Sequence, residues 1–143
     1  MPLSTATLKT VPLLASLKDK ELKALARSMR ERTYDAGENV VQEGSGGIGF
    51  FMILDGAADV LVRGDRRATL GAGDFFGELG LLDERAGRSA TVCARDGLHT
   101  AAMTSWEFKG FVRNHPDVAW TLLCTMAARL ADTERHYAQA AGV

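Results

Sequence analysis

The chain has 143 residues, with 17 Lys and Arg against 18 Asp and Glu and a net charge of −1. That length fits one domain, large enough to bury roughly two-thirds of its unfolded surface without a disulfide or metal staple. A near-neutral balance lacks the basic footprint of a duplex-DNA or polybasic membrane binder, yet leaves room for one small anion at a local positive spot. Cys93 and Cys124 make neither a disulfide framework nor a zinc site. The longest uncharged apolar run, Val118 to Ala128, is too short to span a bilayer. The first eight residues carry no Lys or Arg ahead of the apolar patch Val11 to Leu17, as a signal peptide would require. A reducing, cytoplasmic setting is expected.

Residues 1–15 are polar and Thr-rich, with two prolines, and are expected to be an irregular lead-in. Ser16, with Asp19 three residues on, is expected to open a helix. Leu22, Leu25, Ala26 and Met29 share one helical face, and the helix should end near Arg30 to Arg32.

From Thr33 to Met103 the helical period disappears. Glycines at 37, 44, 56, 64 and 73 punctuate short strand-like segments, the spacing of an all-β sandwich or barrel. Asp55-Gly56 between Phe50–Leu54 and Val60–Val62 is expected to be a type I′ hairpin turn, with positive φ at both central residues. A second turn falls on Arg63-Gly64-Asp65-Arg66, a solvated tip.

Helical signals return after Met103. Thr104 and Glu107 form a capping box, and Phe108, Phe111 and Val112 line one face. Pro116 suits the first turn of a longer helix with the apolar stripe Val118, Leu122, Leu123, Met126 and Leu130. Trp106 and Trp120 are expected in core or interface packing, and Cys93 and Cys124 as small buried hydrophobes. The expected fold is α+β: an antiparallel β-roll, a jelly-roll-like double-stranded barrel, flanked by an N-terminal helix and two C-terminal helices. It forms one domain over 1–143, with a lead-in and helix at 1–32, the roll at 33–103 and C-terminal helices at 104–143.

The chemistry concentrates in residues 75–92. Gly77 lets the backbone turn sharply, and Glu78 to Leu82 can form one helical turn whose free N–H groups suit a phosphate. Arg88, ten residues after Glu78, can grip phosphate oxygens in a bidentate contact. Glu78, accepting only, suits a ligand hydroxyl such as that of a ribose. Glycine, acid and base within a dozen residues are common, and spacing alone favours an exposed Glu78–Arg88 ion pair on a loop.

The full run is more specific. Phe76-Gly77-Glu78-Leu79-Gly80-Leu81-Leu82, then Arg88-Ser89-Ala90-Thr91-Val92, closely resembles the phosphate-binding cassette of cyclic nucleotide-binding domains. That family includes catabolite activator proteins, regulatory subunits of cyclic-AMP-dependent protein kinase and nucleotide-gated channels. Tyr34 to Glu38, Gln42-Glu43-Gly44, Phe50 to Gly56 and Leu70 to Phe76 are similar to other family segments, so the resemblance covers about residues 13–135. It implies that Arg88 holds the cyclic phosphate and Glu78 the ribose 2′-hydroxyl. Backbone N–H groups of Gly77, Glu78 and Leu79 would cradle ligand oxygens, with Phe76, Ser89 and Ala90 beside them. Gly87 stands where many members carry Pro, which loosens the preceding loop.

Ser89 leaves the base open, because a hydroxyl there accompanies cyclic GMP in some members. Alignment of Ala128 to Thr133 places Thr133 where activator-type members offer a Thr to adenine, so cyclic AMP is preferred over cyclic GMP. A solvent-facing Thr133 on the last helix fits the sequence equally well. The resemblance implies a ligand-responsive regulatory module, not an enzyme, with no cofactor beyond its cyclic nucleotide; the near-neutral charge and short apolar runs lead us to expect no nucleic-acid or membrane partner. It would act in trans on an effector protein through movement of the C-terminal helix, which could also pair with its twin in a homodimer. The alternatives are an interaction module of the same fold that binds no nucleotide, or the excised sensor of a larger regulator. A metal-dependent enzyme is disfavoured, because His99, His115 and His136 lie far apart in sequence.

Overall fold

The computed structural model describes residues 3–42, 44, 49–77 and 90–140, excluding the side chains of 136, 137, 139 and 140. The lead-in is ordered rather than irregular. A short helix, α1 (Thr5–Lys9), is followed by a 3-10 turn at Pro12–Leu14. The Ser4 hydroxyl caps α1 by accepting from Ala6 N–H at 3.2 Å, and Leu8, Val11, Leu13 and Leu14 are buried. Each piece is too short to show a helical period, so only burial in the assembled fold reveals it.

Helix α2 (Asp19–Ser28) begins three residues later than the Ser16 signal, because Leu17 N–H is already bonded back to Leu14 C=O at 3.1 Å. Its capping contact runs from Glu21, whose carboxylate accepts from Lys18 N–H at 3.0 Å. Leu22, Leu25, Ala26 and Met29 are buried as one face. The helix stops at Ser28, short of the expected Arg30 to Arg32. Met29 is already extended, and Arg30 pairs with Ala102.

Eight strands follow among the described residues: β1 (Arg30–Tyr34), β2 (Asn39–Val41), β3 (Phe50–Asp55), β4 (Ala58–Val62), β5 (Asp65–Leu70), β6 (Phe75–Phe76), β7 (Thr91–Ala94) and β8 (Leu98–Met103). They form two four-stranded sheets of order β1-β8-β3-β6 and β2-β7-β4-β5, with the observed pairings antiparallel. This is the expected roll, begun at Arg30 rather than Thr33.

Asp55-Gly56 is not a hairpin turn. It carries the chain from β3 in one sheet to β4 in the other, and only Gly56 has positive φ, at 87°. The two-sheet closure demands this crossing: a Cβ on Gly56 would stand 2.2 Å from Gly97 O. The tight hairpin lies instead between β4 and β5, where Arg63 and Gly64 have φ of 53° and 83°.

Two cores share the first sheet. Phe50 and Met52 of β3 face the helices, while Ile53 and the half-buried Phe51 face the roll interior, the period-two alternation of a strand. The helical core joins α1, the 3-10 turn and α2 to α3 (Ser105–Asn114) and α4 (Pro116–Ala140) through Phe108, Val118 and Leu122. Phe50 stacks on Phe108 with centroids 3.8 Å apart and planes 6° from parallel. The Thr104–Glu107 capping box opens α3 with bonds of 3.0 and 3.2 Å.

The α4 stripe divides. Val118 and Leu122 are buried, but Leu123 and Leu130 are 61% and 60% exposed. Trp106 and Trp120, expected in packing, are 81% and 69% exposed, because both fall on helix faces turned away from the sheet. Cys124 is exposed for the same reason, and Cys93 is half-buried beside the roll core.

Candidate functional site

The segment entering the cassette is held rigidly. In the β5–β6 loop, the Asp74 carboxylate accepts from Gly71 N–H at 2.9 Å, and Gly73 takes φ of 93°. The loop is tied to β3 by Gly73 N–H to Ile53 O and Ile53 N–H to Asp74 O, both 2.8 Å. β6 then alternates between the two cores. Phe75 enters the helical core 5.4 Å from Phe50, and Phe76 enters the roll interior, stacked on Phe51 at 4.9 Å.

Gly77 follows with φ of 97°, a conformation that suits glycine and few other residues. Its predicted sharp turn therefore has a backbone basis. Of the other expected ligand-binding residues, Phe76 contributes its ring to the core, Ala90 lies half-buried at the bend before β7, and Thr133 lies exposed on α4. Thr133 Oγ1 donates to Arg129 O at 2.9 Å. Glu78, Leu79, Arg88 and Ser89 lie outside the described residues.

At the far end of the cassette, Val92 of β7 packs into the same roll interior as Phe76. Both ends of residues 77–91 are thus anchored in one apolar core, although β6 and β7 belong to different sheets. Residues 77–91 therefore connect a strand of the first sheet to a strand of the second.

One contact here was not singled out from sequence. Arg129 of α4 donates through Nη2 to Phe75 O at 2.7 Å, and its guanidinium lies 4.6 Å from the centre of the Phe75 ring. An Arg seven residues beyond Leu122 reads as an ordinary surface cation until the helix is docked on β6.

A cavity of about 550 Å³ lies elsewhere, between α2, the end of β8 and α3, lined by Leu25, Met103, Phe111, Glu21 and His115 among others. Among the described residues no three His, Cys, Asp or Glu side chains converge on a metal position. No helix of the described residues is long and apolar enough to cross a membrane.

Two antiparallel four-stranded sheets, with the helices packed on the first of them, define a β-roll architecture. Residues 31–115 match the family described as the cyclic nucleotide-binding domain, and the chain belongs to that family. It is 36% identical over 112 residues to a cAMP-dependent protein kinase regulatory subunit of Schizosaccharomyces pombe, covering 78% of this chain and 27% of the relative. It is 32% identical over 119 residues to a cyclic nucleotide-gated potassium channel of Rhizobium etli, covering 83% and 33% respectively. The crystal structure of Thermus thermophilus catabolite activator protein superposes with a TM-score of 0.78 at 25% identity, over 91% of this chain and 63% of that one. The chain spans about a quarter to a third of the length of these two curated relatives.

Proposed function

We propose that this chain is a cyclic nucleotide sensor that binds cyclic AMP in preference to cyclic GMP and transmits occupancy to an effector protein in trans. The observation that carries it is the bridge itself: Phe76 and Val92 seat both ends of the cassette in one core, and Gly77 turns with positive φ at its entrance. Arg88 takes the cyclic phosphate by a bidentate charge-assisted contact. Glu78 accepts from the ribose 2′-hydroxyl, and the N–H groups of Gly77, Glu78 and Leu79 complete the anion cradle with Ser89 and Ala90. Thr133 offers its hydroxyl to the base from α4.

The kinase regulatory relative carries cAMP in its name, which supports the adenine preference. α4 acts as the moving lid, with two populations whose balance the ligand shifts. Its outer residues Trp120, Leu123 and Leu130 recur at intervals of three and seven, a seam on which a second copy of the chain can pair. The module performs no catalysis of its own, and its two free cysteines fit a reducing cytoplasm. A sensor belonging to a longer regulator is the second reading, favoured by the small share of each curated relative that the chain spans.

Calorimetric titration with cyclic AMP, and with cyclic GMP in parallel, tests the proposal. One site per chain with Kd below about 100 μM is expected, tighter for cyclic AMP. No heat and no thermal stabilisation from either nucleotide would leave an interaction module of the same fold.

A further inference from the structure

We infer that Arg129 is the positioning residue that couples the placement of α4 to the entrance of the cassette, an inference that rests on the nucleotide-sensing reading above. The apolar contacts that dock α4, through Val118, Leu122 and the half-buried Met126, are non-directional and let a helix slide or roll. A charged donor 2.7 Å from one particular carbonyl does not. Arg129 meets Phe75 twice, at the main-chain oxygen and over the ring. Phe75 in turn cannot follow the helix freely, because β6 is paired to β3 and its ring is packed on Phe50.

The contact therefore sets the register of the second half of α4 against β6. Two residues after Phe75 the chain reaches Gly77, where the cassette begins. One turn after Arg129 it reaches Thr133, whose hydroxyl is bonded to the Arg129 carbonyl. Arg129 thus lies between the two parts of the site that separate elements supply. A ligand that tightens the main chain at Gly77 favours the Arg129-engaged placement of α4, and that placement favours the ligand by the same factor. Lysine could reach the carbonyl with one bond, but it lacks the planar fork that donates and stacks together.

The test compares wild type, Arg129→Gln and Arg129→Lys by hydrogen exchange and by cyclic AMP titration. Without nucleotide, Arg129→Gln should speed exchange at Phe75 to Gly77 and along Met126 to Glu134, leaving β7 and β8 unchanged. With nucleotide, it should weaken cyclic AMP binding about tenfold and abolish the slowing of exchange that cyclic AMP produces in α4. Arg129→Lys should fall between. Wild-type affinity together with wild-type slowing of α4 exchange in Arg129→Gln overturns the inference. If wild type binds neither cyclic AMP nor cyclic GMP, the sensing proposal fails on its own. The ligand-free comparison then decides about Arg129, and unchanged exchange at Phe75 to Gly77 overturns the tie.

Discussion

Glu21 Oε2 stands 2.9 Å from His115 Nε2, fastening α2 to the junction of α3 and α4. The other ring nitrogen, Nδ1, faces Phe111 O at 2.8 Å, and the ring lies 4.3 Å from that of Phe111. Both ring nitrogens thus face oxygens, one on α2 and one on α3. The Lys18 N–H, and after it His115, holds the Glu21 carboxyl below its ordinary value of 4.5, against a pull upward from burial.

The sign of the pH dependence follows. A depressed carboxyl contributes stability in full above its ordinary value and loses it as pH falls through the lower folded value. Thermal melts of Glu21→Gln should lie below wild type near pH 6 and converge with it in acid. Superimposed curves over the whole range would show that the clasp contributes nothing.

Two glycines with similar backbones should respond differently to alanine. Gly64 has φ of 83° and open space around it, so Gly64→Ala should cost about 1 kcal/mol from backbone strain alone. Gly56 has φ of 87° and a Cβ would meet Gly97 O at 2.2 Å, so Gly56→Ala should cost about 3 kcal/mol or more. Urea denaturation of the two variants measures the difference, and equal costs would contradict the packed sheet crossing at Gly56.

Neighbouring leucines on α4 should likewise separate. Leu122 is buried in the helical core, and Leu122→Ala should cost about 2–5 kcal/mol. Leu123 is exposed, and Leu123→Ala should leave the fold within about 0.5 kcal/mol of wild type. If two copies pair on this face, Trp120→Ala with Leu123→Ala should lower the sedimentation mass to that of one chain. A single-chain mass already in wild type would remove the homodimer.

For the proposed contact between Arg88 and a cyclic phosphate, removing one partner of a buried charge contact costs about 2–5 kcal/mol. Arg88→Ala should therefore weaken cyclic AMP binding by roughly thirtyfold to several thousandfold. Unchanged affinity by calorimetry would dissociate Arg88 from the phosphate.

Local chemistry was legible where it is self-contained. The Thr104–Glu107 box, the Pro116 start of α4 and the buried face of α2 each depend on residues within a turn of one another, so their patterns survive in one dimension. The β-roll was readable from glycine spacing, and the family from the run Phe76 to Val92. Asp55-Gly56 misled because a tight turn has the same composition whether its strands pair or part, and only the closing of two sheets decides which. α1 and the 3-10 turn were invisible because neither is long enough to carry a period, yet Leu8 and Val11 are fully buried once the sheet is there to receive them.

The sequence by itself determined the class of fold and the starts of α3 and α4, and it pointed to residues 75–92 as the segment to test for a phosphate and a ribose. Tertiary structure alone decided which apolar residues of α3 and α4 face inward, leaving Trp106, Trp120, Leu123 and Leu130 in solvent. It also brought Arg129 to Phe75 across a separation of 54 residues. Hydrogen bonds and cation–π contacts act over a few ångströms of space, and no spacing along the chain encodes a partner that far away.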